Sequence, residues 1–434
     1  MQFADTIFAL SSGALPAGVA VIRVSGRAAQ QTLQQLTGKS PNARIATLVK
    51  VKAPSGDFLD SGLALSFPAP NSFTGEDVVE LQLHGGRATV TAVLREIAAL
   101  PGLRMAEAGE FTRRAFLNGR MDLTQVEGFA DLLAAETETQ RRFALANASG
   151  KQRELYDDWR RRLIRIRAMI EAELDFPDED DIPGAVSDLA MSELGRLNIS
   201  LSDHIAGFGR AEIIRHGFDV VIVGRPNVGK SSLLNALAKR DVAIVSDEAG
   251  TTRDLLEVAL DVGGLKVRIT DTAGLREAGS KVEAIGIERA HKRAAEAQLV
   301  LILSDSDEFD QPVKTDLART IFVRTKADLS PSEAGDIRIS TATGAGLDDL
   351  VGVLRRRSED VAASSSDILP SRERHIALLR RAFDEVEAAE GTWADRELAG
   401  EHLRRACDSL SSLTGLISVE DLLDTIFREF CIGK

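Results

Sequence analysis

Short blocks of alternating or continuous apolar residues at 19–24, 46–52, 62–66 and 78–83 give way to helical spacing at 87–100. Period-two alternation predicts strands and a 3.6-residue period predicts a helix. Residues 1–118 therefore read as an α+β domain. From Leu123 the spacing is helical as far as Phe176, with Leu132, Leu133, Ala144, Leu145, Leu155, Leu163, Ile166 and Ile170 as the buried-face candidates. The run stops at Phe176-Pro-Asp-Glu-Asp-Asp-Ile-Pro183, where two prolines bar a helix and the acidic cluster reads as a solvated linker. A further helix at 189–205 leads into a β-branched apolar run at 218–223 that reads as a buried strand.

Beyond the basic triplet at 355–357 a serine-rich stretch at 362–367 ends this strand-bearing segment. Helical spacing then returns at 376–389, 394–410 and 418–430, the last with Ser418 as N-cap and Asp421 completing a capping arrangement. Both flanks of the segment are helical and neither is long enough for a separate bundle. The predicted architecture is multidomain: an N-terminal α+β domain (1–118), a discontinuous all-α domain (119–212 and 361–434), and an inserted α/β domain (213–360). No internal repeat is evident.

Composition fits that picture, since 434 residues with 44% hydrophobic and 27% charged content are ordinary globular usage. No run of about 18 apolar residues offers a membrane span, and the N-terminus lacks a basic flank with an apolar core. A cytoplasmic protein without membrane association is expected. Cys407 and Cys431 are too few for a disulfide framework and have no zinc spacing. The excess of 66 acidic over 53 basic residues, a net charge of −13, argues against a surface uniformly attractive to nucleic acid. Any such contact must use local patches. Arg160, Arg161, Arg162, Arg165 and Arg167, or Arg355, Arg356 and Arg357, are candidates, although a solvated helix face with glutamate partners is the better explanation of each.

The chemistry concentrates in the inserted segment. Residues 224–231 read Gly-Arg-Pro-Asn-Val-Gly-Lys-Ser, a G-x-x-x-x-G-K-[ST] loop between a predicted strand and a predicted helix, the context such a loop requires. There the backbone N–H groups of Val228, Gly229 and Lys230 point at a β-phosphate, Lys230 reaches the β and γ oxygens, and Ser231 offers its hydroxyl to magnesium. Thr325-Lys326-Ala327-Asp328 follows the predicted strand at 321–323 and resembles the N/T-K-x-D guanine motif. A carboxylate placed as Asp328 accepts from both N1–H and the N2 amino group of guanine, whereas adenine offers no such donor pair. The nucleotide is then GTP. Asn is commoner where Thr325 stands, so a hydroxyl must replace an amide.

Ser340-Thr341-Ala342 resembles the loop whose backbone meets the guanine O6. Asp271-Thr272-Ala273-Gly274, after the alternation at 265–269, looks like the magnesium and γ-phosphate switch. Gly250-Thr-Thr-Arg-Asp254 resembles the other switch, with Thr252 completing the magnesium shell. Signalling GTPases place a water-orienting glutamine directly after the first of these switches, but here the residue is Leu275. Glu277, Glu283 and Glu288 follow. Any one of them could be a water-orienting carboxylate, but from the residues alone a solvated helix charge is the better reading of each.

Three further stretches extend the resemblance beyond the nucleotide motifs. They are Asn71-Ser-Phe-Thr-Gly-Glu-Asp-Val-Val-Glu-Leu-Gln-Leu-His-Gly-Gly86, Ala108-Gly-Glu-Phe-Thr-Arg-Arg-Ala-Phe-Leu-Asn-Gly-Arg-Met-Asp-Leu123, and Phe430-Cys-Ile-Gly-Lys434. With them the chain resembles the MnmE (TrmE) family of tRNA-modification GTPases nearly from end to end. The resemblance implies that Glu283 orients water through a second water. It also implies that Asn227, Ser246, Glu248 and Thr251 hold a potassium ion, and that Ser232, Ser246, Asp247 and Thr251 join the GTP contacts. A monovalent cation makes physical sense where no arginine finger is evident.

The same resemblance implies a homodimer whose N-terminal domain binds 5,10-methylene- or 5-formyl-tetrahydrofolate at positions matching Arg23, Glu80, Arg120 and Lys434. A pterin edge, like guanine, offers ring N–H and amino donors that suit Glu80. It implies a flavin-dependent MnmG-like partner carrying FAD, with tRNA as substrate at C5 of the wobble uridine. Cys431 is either a nucleophile beside Lys434 or a small residue anchoring the tail. A GTP-gated RNA-binding or ribosome-assembly factor without covalent chemistry is the alternative function, and a transport GTPase fits less well because no membrane segment is found.

Overall fold

The computed structural model describes residues 3–175, 184–244, 257–271, 292–309, 315–329, 333–363, 367–416, 426–427, 430 and 433. The chain divides into two compact units, Met1–Ala130 with Ala148–Ile182 and Thr392–Lys434, and Asp131–Asn147 with Pro183–Gly391.

The first unit holds a six-stranded sheet of β1 (Thr6–Leu10), β2 (Ala17–Ser25), β3 (Thr47–Lys52), β4 (Phe58–Phe67), β5 (Val78–Gly85) and β6 (Leu103–Met105), in the order β3-β4-β5-β2-β1-β6. Only β1 and β6 run parallel. Helices Ala29–Thr37 and Arg87–Ala98 cover one face, where Leu33, Leu36, Val90, Val93 and Ile97 pack on Ile22, Val24, Val79 and Leu81. The alternation at β2, β3 and β5 predicted these strands. Strand β1, Thr-Ile-Phe-Ala-Leu with its first four residues buried, was not predicted because a short run buried on both faces has no period to read.

The helical run after Leu123 is three helices, Leu123–Ala134, Glu138–Ala148 and Lys151–Asp175. Gly150, at φ 86°, marks the second break with a conformation only glycine adopts easily. Within Lys151–Asp175 the buried residues are Gln152, Tyr156, Trp159, Leu163, Ile166 and Ile170, a regular alternation of four- and three-residue steps. That stripe faces helix Arg396–Leu413, which buries Leu403, Ala406, Cys407 and Leu410. Two buried-face candidates, Leu133 and Leu145, are instead exposed; on the helix that carries Leu145, Phe143 and Ala144 take the inward face.

The tail of the chain returns to this unit. Phe427 and Phe430 pack with Phe116, Leu123, Val126 and Phe129, and the Gly433 carbonyl accepts from the Ser11 hydroxyl at 2.7 Å. A Cβ at Gly433 would stand 2.1 Å from the Leu10 carbonyl oxygen, so only glycine passes there. The predicted helix at 418–430 lies largely outside the described residues.

The second unit is built on β7 (Phe218–Gly224), β8 (Glu257–Val262), β9 (Leu265–Asp271), β10 (Leu299–Ser304), β11 (Thr320–Arg324) and β12 (Ile337–Arg338), in the order β12-β11-β10-β7-β9-β8. All neighbours are parallel except β8 against β9. Val220, Ile222, Leu299 and Leu301 face one layer, with Leu233 and Leu237 of helix Lys230–Ala238 and Leu350 and Leu354 of helix Leu347–Ala363. Val221, Val223, Val300 and Ile302 face Ala294 and Ala297 on the other side. Burial on both faces is why these strands read as apolar runs rather than alternations. Helix Gly184–Ala206 packs on Glu373–Gly391, and Asp131 accepts from Arg215 at 3.0 Å and Arg372 at 2.8 Å. Among the described residues no helix is long and apolar enough to cross a membrane.

Candidate functional site

The glycine loop leaves the end of the central strand β7 and enters helix Lys230–Ala238. Close packing fixes its start: a Cβ on Gly224 would come within 2.6 Å of the Leu303 carbonyl oxygen on β10. Two residues take left-handed backbone, Asn227 at φ 61° and Gly229 at φ 103°. The turn they make leaves the first N–H groups of the helix without carbonyl partners, as any helix start does, and these are the donors an oxyanion can use. Lys230 is buried and its Nζ donates to the carbonyls of Gly224 at 2.9 Å and Arg225 at 2.8 Å, so the ammonium lies folded across the loop.

Ser231 donates to Asp271 Oδ2 at 3.2 Å. The buried carboxylate at the end of β9 and the hydroxyl on the first helical turn thus meet from elements 40 residues apart. One neutral and one anionic oxygen fit a magnesium ion whose remaining ligands are phosphates and water. No cluster of three or more His, Cys, Asp or Glu that could hold a metal occurs among the described residues.

The guanine-type motif sits at the end of β11. Thr325 is buried, and its hydroxyl donates to the Val228 carbonyl at 2.7 Å, with the Ser304 carbonyl at 3.2 Å. The hydroxyl that stands where an amide is commoner therefore ties the base-reading loop to the phosphate loop. Lys326, at φ 53°, pairs with Asp305 at 2.7 Å, and that hydrogen bond is the main cause holding the Asp305 carboxyl below its ordinary value. Asp328 is exposed beside them. Buried Ser340 accepts at its hydroxyl from the Thr343 N–H at 3.2 Å and at its carbonyl from the Gly344 N–H at 2.9 Å. This turn presents Thr341 and Ala342. Asp305 was not anticipated, although an acidic loop directly after the all-buried β10 was a readable signal.

Ser246, Asp247, Glu248, Thr251, Thr252, Thr272, Ala273, Gly274 and Glu283 lie outside the described residues, as do Cys431 and Lys434. What is described brings the phosphate loop, Asp271, Thr325 and the 340–342 turn to one end of the parallel sheet, beyond the C-terminal ends of its strands. Ligands of open α/β sheets bind there.

A second site occupies the first unit. Arg23 on β2 and Glu80 on β5 are register partners, and Arg23 Nε donates to Glu80 Oε1 at 2.9 Å. The Arg23 guanidinium lies 5.2 Å from the centre of the Phe73 ring and 5.6 Å from that of Phe111. Glu80 lines a cavity of about 300 Å³ together with Arg44, Phe67, Asn71, Ser72, Phe73, Val78 and Arg120. Three of the four positions matched to tetrahydrofolate thus gather at one place. The cavity offers a carboxylate for ring N–H donors, aromatic rings for a flat heterocycle and arginines for anionic groups, so the donor set fits such a ligand.

The loop that supplies part of its lining is itself held in place. Buried Arg114 donates to Asp5, Glu76 and Glu110, and Ser25 donates to Glu76, which pins the loop that carries Ser72 and Phe73. Burial opposes ionisation of Glu110, but hydrogen bonds from Arg104 and Arg114 outweigh it and hold the carboxyl below its ordinary value. Arg114 was not anticipated as a supporting group, since one arginine in a basic helix carries no distinguishing pattern.

A phosphate loop, a guanine-type Thr-Lys-x-Asp and a switch aspartate on a parallel sheet define a P-loop GTPase. The family model described as "MnmE helical domain" matches residues 123–431, and "GTP-binding protein TrmE N-terminus" matches residues 6–120. Proteins called "tRNA modification GTPase MnmE" are 54% identical in Chelativorans sp., over 99% of this chain and 98% of that relative, and 55% identical in Mesorhizobium japonicum, over 99% of both. The Brucella anthropi protein is 54% identical, over 99% of this chain and 98% of its own length. The chain belongs to the MnmE/TrmE family. Among solved structures the G domain of the T. maritima FeoB iron transporter is 22% identical over 34% of this chain and 98% of that one, with a TM-score of 0.22, too low to support any inference.

Proposed function

We propose that this GTPase works in tRNA modification at C5 of the wobble uridine of certain tRNAs, as a homodimer with a flavin-dependent MnmG-like partner and a one-carbon tetrahydrofolate. The observation that carries the reading is 54% identity, end to end, to proteins named for tRNA modification. The Arg23–Glu80 pair in its cavity adds the folate component.

In the nucleotide site Lys230 exchanges its two carbonyl partners for the β and γ oxygens, while the N–H groups of Val228, Gly229 and Lys230 hold the β-phosphate. Thr325 keeps the loop in register with Asp328, which accepts from guanine N1–H and N2–H, and the Ala342 backbone meets O6. Magnesium at Ser231 and Thr252, and potassium at Asn227, Ser246, Glu248 and Thr251, would supply positive charge at the phosphates. Glu283 orients the attacking water through a second water, the task that Leu275 cannot perform.

In the N-terminal pocket Glu80 accepts from the pterin ring and amino donors, Arg23 fixes the carboxylate, and Arg120 and Lys434 face anionic or carbonyl groups of the ligand. Bound folate would supply the one-carbon unit. Cys431 is either a nucleophile or a tail anchor. The exposed residues Ile45, Leu48, Phe58 and Leu63, with Leu48 and Leu63 facing each other across β3 and β4, support dimerisation through this domain.

Mass-spectrometric nucleoside analysis of tRNA from a deletion strain tests the reading. Loss of the C5 substituent at the wobble uridine is expected. A profile identical to that of the parent strain would sink it and leave the assembly-factor alternative. GTP turnover in potassium should exceed that in sodium, and equal rates would remove the cation assignment.

A further inference from the structure

Arg44 lies in an irregular segment between the first helix and β3, and nothing in the sequence marked it. Its backbone sits at φ 62°, a left-handed conformation that costs a non-glycine residue roughly 1–2 kcal/mol. Asn or Gly would hold the same turn at less strain, so the long cationic side chain is what the position gains. That side chain is fixed in place. Its guanidinium lies over the Phe67 ring, 5.6 Å from the centroid, and Nη2 donates to the Asn71 carbonyl, while the Arg44 backbone N–H donates to the Ser66 carbonyl at 2.8 Å.

The surroundings define what it can bind. Arg44 and Arg120 are both exposed at the rim of the 300 Å³ cavity, and the only carboxylate in the lining is Glu80, already paired with Arg23. Neither rim arginine has an ion pair with a carboxylate among the described residues. The Arg120 stem is seated over Gly75, where a Cβ would meet its Cγ at 3.2 Å. A cavity of this volume stands at the lower end of small-molecule sites. On the folate reading, the flat bicyclic head would occupy the cavity and the acidic tail would lie at its rim, where Arg44 and Arg120 stand.

We propose that Arg44 binds the glutamyl carboxylate of the folate, and so makes the pocket selective for glutamate-bearing folates over the corresponding pteroates. The proposal rests on the folate reading of this pocket. A planar guanidinium already stacked on an aromatic ring loses little freedom on pairing with a carboxylate, and it offers two parallel N–H donors.

The test is calorimetric titration of the full-length protein with 5-formyl-tetrahydrofolate and with 5-formyl-tetrahydropteroate, which lacks the glutamate. Wild type should bind the first more tightly. Arg44→Gln should weaken the glutamate-bearing ligand about ten- to a hundredfold and leave the pteroate unchanged, which also shows that the pocket is folded. Arg44→Lys should recover part of the difference. Equal loss for both ligands, or no loss for either, overturns the assignment to Arg44. If neither ligand binds wild type, or Glu80→Gln leaves both affinities intact, the folate reading itself fails and the proposal falls with it.

Discussion

The candidate nucleotide site and the N-terminal pocket present the same kinds of groups, an accepting carboxylate and donating cations, yet they are assembled in opposite ways. In the GTPase sheet each component is a short contiguous motif at the C-terminal end of one strand, and the parallel order of β9, β7, β10, β11 and β12 brings those ends together. In the first unit Arg23, Arg44, Glu80 and Arg120 come from separate elements, and no local turn holds any two of them. The Arg23–Glu80 pair spans 57 residues and exists because β2 and β5 are antiparallel in one particular register. A site of motifs tolerates change around it, whereas a site of register does not. A one-residue slip of β5 would turn Glu80 to the other face of the sheet.

The largest contrast should come from specificity. Asp328→Asn replaces one of the two oxygens that accept from guanine by an amide N–H that can donate to the O2 carbonyl of xanthine, so the preference for GTP over xanthosine triphosphate should fall by about 10⁴-fold. Competition binding with the two nucleotides checks it, and an unchanged preference would show that Asp328 does not read the base. Folate binding should be unaffected, because the two sites share no residue.

Acid should separate the two units next. His204 is buried in the second unit, and burial, reinforced by neighbouring His375, lowers its pKa from 6.5 to about 4. The folded state therefore binds fewer protons than the unfolded one between these values. This contribution is complete above pH 6.5 and is lost as the pH falls towards 4, amounting to about 3 kcal/mol. In the first unit burial opposes the ionisation of Asp5 and Glu110, but arginine hydrogen bonds hold both carboxyls low, so their contribution is lost only at still lower pH. Calorimetric melts from pH 7 to 4 should show the second unit destabilised first, and His204→Asn should flatten that decline. Coincident loss of both units would contradict the assignment.

Smaller effects test the internal ties of each site. Glu80→Gln keeps the size of the side chain but removes the charge, and should weaken tetrahydrofolate binding by about 2 kcal/mol with GTP turnover retained in the absence of partners. Retained affinity would remove the folate reading of this pocket and leave the Arg23–Glu80 pair as a structural bridge only. Thr325→Val deletes the hydroxyl that donates to the Val228 carbonyl, and should reduce stability by about 1–2 kcal/mol, visible as a lower melting temperature together with weaker GTP binding. If the melting temperature falls and nucleotide affinity does not, the link between the two loops is not what holds the phosphate loop in its binding form.

The sequence by itself determined the parts whose physics is local. The glycine spacing of the phosphate loop, the continuous apolar run of a strand buried on both faces, and the three- and four-residue spacing of Leu163, Ile166 and Ile170 in helix Lys151–Asp175 are of this kind. Each needs only neighbouring residues to be recognised, and so the GTPase fold and most of its described site were legible. Arg23, Glu80 and Arg120 were reached only through resemblance, and Arg44, Phe67 and the Arg114 network were not reached at all. Strand β1, the exposed Leu133 and Leu145, and the docking of Gly433 against Leu10 were likewise decided by tertiary structure. The reason is common to all of them. Which face of an element is buried, and which distant residue stands opposite across a sheet, depends on register and packing partners that no local period encodes.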